Sequence, residues 1–272
     1  AALAQLPPPS ELPKEVRMRR WMLLPLAVLM LMPASLAAQE DAAPTWWAVF
    51  TEQVAPANVA AFEKNSAEMH ELIVENAPAE MVYYTLSGPE TGYSYAIPMA
   101  SMADFMKMNE QWMGMVNQIG WDKWMDMQAS DLVEHSSMNF YVEIPDGSYH
   151  PDGYEESMAD KPVRHYDWLY PKPGMESDVN EVLKEWVALY EEHGIDSGWT
   201  AYQAVTGEDL PLVVLITPAT SASAYYMMSE EVDEVLGEAG QALMMKSMGM
   251  LRKFEHNEQV FRPELSLVPD TM

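Results

Sequence analysis

Apolar positions along the chain change period in a fixed succession, and the succession occurs twice. WWAVF (Trp46–Phe50) and YDWLY (Tyr166–Tyr170) are short and aromatic, as strands are. Each precedes a stretch with apolar residues at helical spacing, NVAAFEKNSAEMHELI and DVNEVLKEWVALYEEH. An overlay shifted by about 120 residues puts Val59 on Val179, Phe62 on Val182 and Met69 on Leu189. MVYYTLSG then falls on TAYQAVTG, matching Tyr83 with Tyr202 and Gly88 with Gly207. YSYAIPMAS falls on LVVLITPATS, a second long helical stretch follows from Ser101 and Ser221, and EHSSMNF closes the first copy as EHNEQVF closes the second.

Each copy thus predicts strand, helix, strand, strand, helix, strand. The polar, Gly-containing turns SGPETG and TGEDLP suit hairpin connections. Ser101 with Asp104 has the form of a helix N-cap followed by an acid in the first turn. The first repeat is expected over 45–143 and the second over 163–268. The stretch 144–162, rich in Pro, Gly and Asp, is expected to be the linker between them.

A βαββαβ unit places both helices on one face of an antiparallel sheet. Trp46 and Phe50 point one way along their strand and Trp47 and Val49 the other, so both faces are apolar. A bare apolar sheet face is not tolerated in a soluble monomer, and two copies in one chain can cover each other. The predicted class is α+β: two tandem ferredoxin-like repeats packed sheet to sheet as an intramolecular pseudo-dimer. This order resembles the dimeric α+β barrel superfamily, which includes antibiotic-biosynthesis monooxygenases, NIPSNAP-like proteins and chlorite-dismutase relatives. For activity the resemblance implies either an Asn/Trp/His set or a haem-binding histidine with a distal arginine. Neither set can be matched here residue by residue, and beyond residue 37 the arginines are Arg164, Arg252 and Arg262.

Upstream, Arg19 and Arg20 precede an apolar run from Trp21 to Met32 and small residues at Ser35–Ala37. That is the layout of a secretory signal with cleavage after Ala37, so residues 1–37 are expected to be an upstream extension and signal peptide. The expected location is periplasmic or extracellular, with membrane contact only through an uncleaved signal segment. Pro25 and Pro33 bracket a run shorter than the usual span of about 20 residues. There is no cysteine, so an exported fold would need no disulfide. A net charge of −27 repels nucleic acid and leaves an acidic surface that a basic protein partner could meet.

The chemistry-bearing candidates are few. In FMKMNEQWMGMVNQIGWDKWMDM, Phe105, Met108, Trp112, Met115 and Ile119 form one helical stripe, and Gly120 marks a bend. Soft thioethers would suit Cu(I), but no His-Met spacing accompanies them, and methionine fills irregular cores well. The stripe is therefore expected to be core or pocket lining, with Met108, Trp112 and Met228 of the second copy, together with Tyr83 and Tyr202, facing a small apolar or aromatic ligand. His135 and His256, matched in the overlay and each preceded by Glu, are the candidate bases, although a helix-end position favoured by the dipole accounts for them more simply, from local position alone. No cofactor or metal is expected. The function that follows is binding of a small apolar or aromatic molecule. A cofactor-independent monooxygenase-like enzyme and an accessory subunit of an extracytoplasmic complex are the alternatives.

Overall fold

A computed structural model describes residues 45–268, less positions 89–90, 129–130 and 208. The expected extension and signal peptide lie outside the described residues. The first repeat comprises β1 (Trp46–Val54), α1 (Val59–Asn76), β2 (Tyr84–Ser87), β3 (Gly92–Met99), α2 (Asp104–Ile119), α3 (Trp121–Met127) and β4 (Val133–Glu143). After a short α4 (Tyr154–Ser157) the second comprises β5 (Val163–Pro171), α5 (Glu176–His193), β6 (Thr200–Ala204), β7 (Val213–Ala219), α6 (Ala222–Met250) and β8 (Leu251–Phe261). The expected βαββαβ succession is present in both halves. Among the described residues, no helix is long and apolar enough to cross a membrane.

The eight strands close into one antiparallel barrel in the order β1-β3-β2-β8-β5-β7-β6-β4. The halves meet edge to edge at two seams, where Leu86 and Ser87 pair with Phe261 and Val260, and Tyr141 to Glu143 pair with Ala204 to Tyr202. Closure gives every strand a ladder partner on each side over at least part of its length, which shortens the open edge that templates aggregation. The strand faces divide as the alternation predicts. Phe50 stacks on Tyr95 on the helix-covered face, whereas Trp47 meets Tyr84 and Tyr202 in the lumen.

Two helix–sheet cores flank the barrel. In the first repeat Ile73, Met115, Val116 and Trp124 pack with Met81 and Tyr83; in the second Val179, Leu183, Val232 and Leu236 pack on Ala201 and Val213. The lumen holds Tyr170, Ala204, Leu212 and Val214 with Tyr141, Tyr166 and Trp168. A fully buried side chain of this size stabilises the fold by about 1.5–3 kcal/mol.

The stretch expected to be a linker is structured, and it belongs to the seam. After β4 the chain makes a 3-10 turn (Pro145–Gly147) and its tail pairs with the other repeat, Tyr149 exchanging backbone hydrogen bonds with Trp199. After β8 a 3-10 turn (Pro263–Leu265) does the same, and Leu267 exchanges hydrogen bonds with Tyr83. The Ser148 hydroxyl receives the Ala201 N–H at 2.9 Å and donates to the Ile144 carbonyl. The Ser266 hydroxyl receives the Thr85 N–H at 2.8 Å and donates to the Arg262 carbonyl. The sequences IPDGSY and RPELSL produce this pair of latches, because proline presets the first turn position and serine supplies the donor-acceptor group.

Register fixes which residues of the two repeats are equivalent. Trp46 pairs with Met99 and Val142, and Val163 pairs with Ala219 and Val260 in the same ladder positions. The bulges agree, at Gln53/Val54 and Tyr170/Pro171. Trp46 therefore corresponds to Val163, not to the Tyr166 of the sequence overlay. The bend expected at Gly120 is present with φ 93°, and Gly237 breaks α6 in the same place with φ 52°. At the N-termini of the second helices the repeats differ. Ser221 caps α6 through Ala224 N–H, whereas Ser101 lies ahead of α2 and donates its hydroxyl to Asp104.

Gly198 lies where the first tail crosses, and a Cβ there would collide with the Tyr149 carbonyl oxygen and stand 2.6 Å from Pro151 Cδ. Replacing Gly198 by Ala is expected to lower stability by about 1–3 kcal/mol in chemical denaturation. Gly114, in α2 with nothing within 4 Å of its added Cβ, serves as the control. Gly114→Ala is expected to raise stability by up to about 1 kcal/mol.

Candidate functional site

The sequence-selected residues do not converge on one cavity. Tyr83, Trp112 and Trp124 belong to the first helix–sheet core, where the Tyr83 hydroxyl pairs with His70 Nδ1 at 2.8 Å and Trp112 packs edge-on to Trp124 at 5.6 Å. Tyr202 points into the lumen against Trp47, and Met228 is half-buried on α6. Tyr83 and Tyr202 are not equivalent, because the partner of Tyr83 in the other repeat is Trp199. Met108 borders a cleft of about 260 Å³ with Met81, Met99 and Lys107. Ligand pockets usually run from about 300 to 1,000 Å³, so this cleft could hold only a small group.

His135 and His256 lie inside β4 and β8 rather than ahead of them, so no helix dipole explains either. His135 pairs with Gln53 and His256 with Asp167, which places them on opposite faces of the barrel wall. His135 corresponds to Lys253, each lying one step from its bulge. The two histidines are not a symmetry pair.

His256 has company that the sequence did not announce. On the helix-covered face of the second repeat, His165 of β5 is buried to 2% exposure, and its ring stacks on Tyr225 of α6 at 3.6 Å between centroids. Its Nδ1 lies 3.3 Å from Glu258 Oε1 and its Nε2 lies 3.2 Å from Asp167 Oδ1. Whichever nitrogen carries a proton donates it to a carboxylate. The Tyr226 hydroxyl donates to the same Glu258 oxygen at 2.7 Å, and the His256 ring lies 5.6 Å from that of His165. Among the described residues, no three His, Asp or Glu side chains are grouped so as to hold a metal ion.

The first repeat shows what the fold requires at these positions. Ala48 corresponds to His165, Phe140 to Glu258 and Phe105 to Tyr225. There Ala48 is buried, and Phe105 meets Phe140 edge-on at 4.9 Å. An apolar plug suffices for packing, whereas a buried imidazole with two carboxylates has a desolvation cost that only good pairing offsets. The second repeat thus buries a polar cluster at positions that its twin fills with apolar side chains.

The cluster opens outward along β8. Phe254, His256 and Val260 are exposed on the same strand face, with Tyr226 exposed beside them and Glu258 half-buried between. Tyr226's hydroxyl, chiefly, and His165 hold the Glu258 carboxyl below the usual carboxylate range against the opposing effect of burial. Burial, with Asp167 nearby, pushes the Tyr225 hydroxyl well above the ordinary tyrosine range. The period-2 pairs His165-x-Asp167 and His256-x-Glu258 were the available sequence signal. Each puts two polar groups on one strand face, but only the β5–β8 register brings the pairs together.

Solved structures share this architecture. An anthrone oxidase-like protein superposes with a TM-score of 0.54 at 12% identity, covering 82% of this chain and 92% of the other. A proposed monooxygenase of Fusobacterium nucleatum gives 0.51 at 9% identity, covering 81% and 94%. One from Lactobacillus acidophilus gives 0.50 at 8%, covering 84% and 100%. No protein-family model matches the chain, and no curated protein does either. The chain has the fold of the dimeric α+β barrel superfamily, with both halves of the barrel supplied by one polypeptide. At these identities the likeness concerns the fold alone.

Glu258, depressed in the folded state, contributes stability that is present above the ordinary carboxylate pKa and lost as pH falls through its folded value. Tyr226→Phe removes the largest cause of that depression. The variant is expected to be less stable than the parent at neutral pH, with the deficit closing below the ordinary carboxylate range. Denaturant midpoints measured across acid pH check this.

Proposed function

We propose that the protein binds a small aromatic or largely apolar molecule on the outer face of β8, over Phe254, His256 and Tyr226. The observation carrying this reading is the contrast between repeats: His165, Asp167, Glu258 and Tyr225 occupy positions that Ala48, Phe50, Phe140 and Phe105 fill in the twin. Exposed Phe254, Val260 and Tyr226 supply apolar and ring surface, and a patch of that kind around polar groups marks ligand sites. Glu258 and His256 supply the polar contacts that would orient a hydroxyl-bearing ring.

An enzymatic reading rests on His256. It is exposed on the ligand face and backed by the His165–Glu258–Tyr226 network, so it could take the proton of a bound phenol, leaving a phenolate for dioxygen to oxidise. The monooxygenase and anthrone oxidase-like descriptions of the structural neighbours agree with that chemistry. We propose further that residues 18–37 direct export, which N-terminal sequencing of secreted protein would support by a start at Ala38.

Fluorescence titration with 1-naphthol provides the test. His256→Ala and Phe254→Ala are each expected to weaken binding about tenfold, equivalent to ~1.4 kcal/mol. Unchanged affinity in both variants would remove this face as the site. Oxygen uptake with the same probe, present in the parent and lost in His256→Ala, separates catalysis from binding alone.

A further inference from the structure

Methionine is ordinarily an interior residue, and the stripe along α2 uses it that way, with Met115 buried to 2% exposure. The last turns of α6 do the opposite. Met244, Met245 and Met248 are exposed to 49%, 74% and 43%, so each keeps much of its surface in water. What singles these three out is exposure rather than composition.

Helix geometry gathers them. Met248 follows Met244 by four residues and Met245 by three, and neighbours at those spacings have Cβ atoms about 5–6 Å apart. At 3.6 residues per turn, Met248 lies between the other two on an arc of about 100°. The core-facing side of the same turns carries other residues: Met250 packs against the second helix–sheet core, and Ser247 accepts from Trp186 Nε1 at 3.0 Å. The ammonium groups at this end of the helix are engaged elsewhere. Lys246 donates to Glu185 of α5 at 2.5 Å, and Lys172 donates to the Gly249 carbonyl at 2.7 Å.

The first repeat has no counterpart. Counted from the Gly120 and Gly237 bends, Met244 stands level with Met127, where α3 ends. Met245 and Met248 therefore lie in turns that the helix of the twin lacks. Thioether sulfur is a soft, uncharged donor that selects ions such as Cu(I) over the hard divalent cations. Three unbranched side chains rooted this close can turn their sulfurs onto one ion, and exposure leaves them free to rotate. The net charge of −27 raises the local concentration of cations around them.

We propose that Met244, Met245 and Met248 form a binding site for a soft monovalent metal ion of the Cu(I) class, separate from the outer face of β8. The ion keeps its oxidation state. Binding releases no proton, because thioethers do not titrate, and this distinguishes the site from imidazole or carboxylate ligands, which lose affinity in acid.

The probe is Ag(I), which has the softness of Cu(I) without its redox chemistry, added as nitrate in chloride-free buffer to the whole chain. Carbon-13 labels on the methionine methyl groups supply the readout. In the parent, Ag(I) is expected to shift the Met244, Met245 and Met248 methyls saturably, with one affinity at about pH 5 and about pH 7. Met248→Leu keeps the volume and removes the central donor, and it should weaken binding about tenfold. Its side chain is exposed, so the fold does not depend on it. Met138→Leu, at an exposed methionine of β4, should leave the affinity unchanged. Parent-like binding by Met248→Leu overturns the proposal, as do Ag(I) shifts spread evenly over all exposed methionines. Zn(II) moving the same three methyls would place the ion on hard ligands and overturn it too.

Discussion

Everything in this protein depends on the closing of two sheets whose faces are apolar on both sides. Neither half can leave its lumen face in water, where Trp47, Tyr84 and Leu86 of one repeat and Tyr166, Trp168 and Val214 of the other would be exposed. Burial supplies the driving force, and the two backbone seams supply the alignment. The Ser148 and Ser266 latches hold the seams at their ends, each satisfying a backbone N–H of the opposite repeat. Because each tail completes the other half, the barrel closes as one cooperative object rather than as two domains in contact.

Much of this was legible in the pattern of positions. Element order, the repeat, the two-faced strands and the Gly120 bend all follow from local periodicity and turn chemistry, and these operate over short distances. Exact equivalence was not legible. Matching aromatic residues drew Trp46 onto Tyr166 and Tyr83 onto Tyr202, whereas the ladder positions make Trp46 equivalent to Val163 and Tyr83 equivalent to Trp199. The error is an odd number of positions, and in a strand an odd slip exchanges the two faces. One slip thus made His135 and His256 look like twins, although they lie on opposite sides of the wall.

The cluster around His165 was hidden for a different reason. Its members come from β5, β8 and α6, and what unites them is inter-strand register together with the seating of one helix. The methionine-rich helix illustrates the converse. Its composition draws notice, yet Met115 is simply buried and Trp112 packs on Trp124, because unbranched thioethers and indoles fill irregular space well. In this fold, unusual composition marked packing, and an ordinary-looking H-x-D pair marked the polar cluster.

Covalent joining of the halves has a consequence for how such a barrel can change. In an assembly of identical chains, every substitution is made twice, so a costly buried imidazole at one position would arrive with its copy at the mirrored one. A single polypeptide carrying both halves escapes that coupling. Ala48, Phe105 and Phe140 can remain a dry plug that secures the structure, while His165, Tyr225 and Glu258 diverge under a separate demand. The tandem arrangement turns a symmetric scaffold into one that can divide its labour.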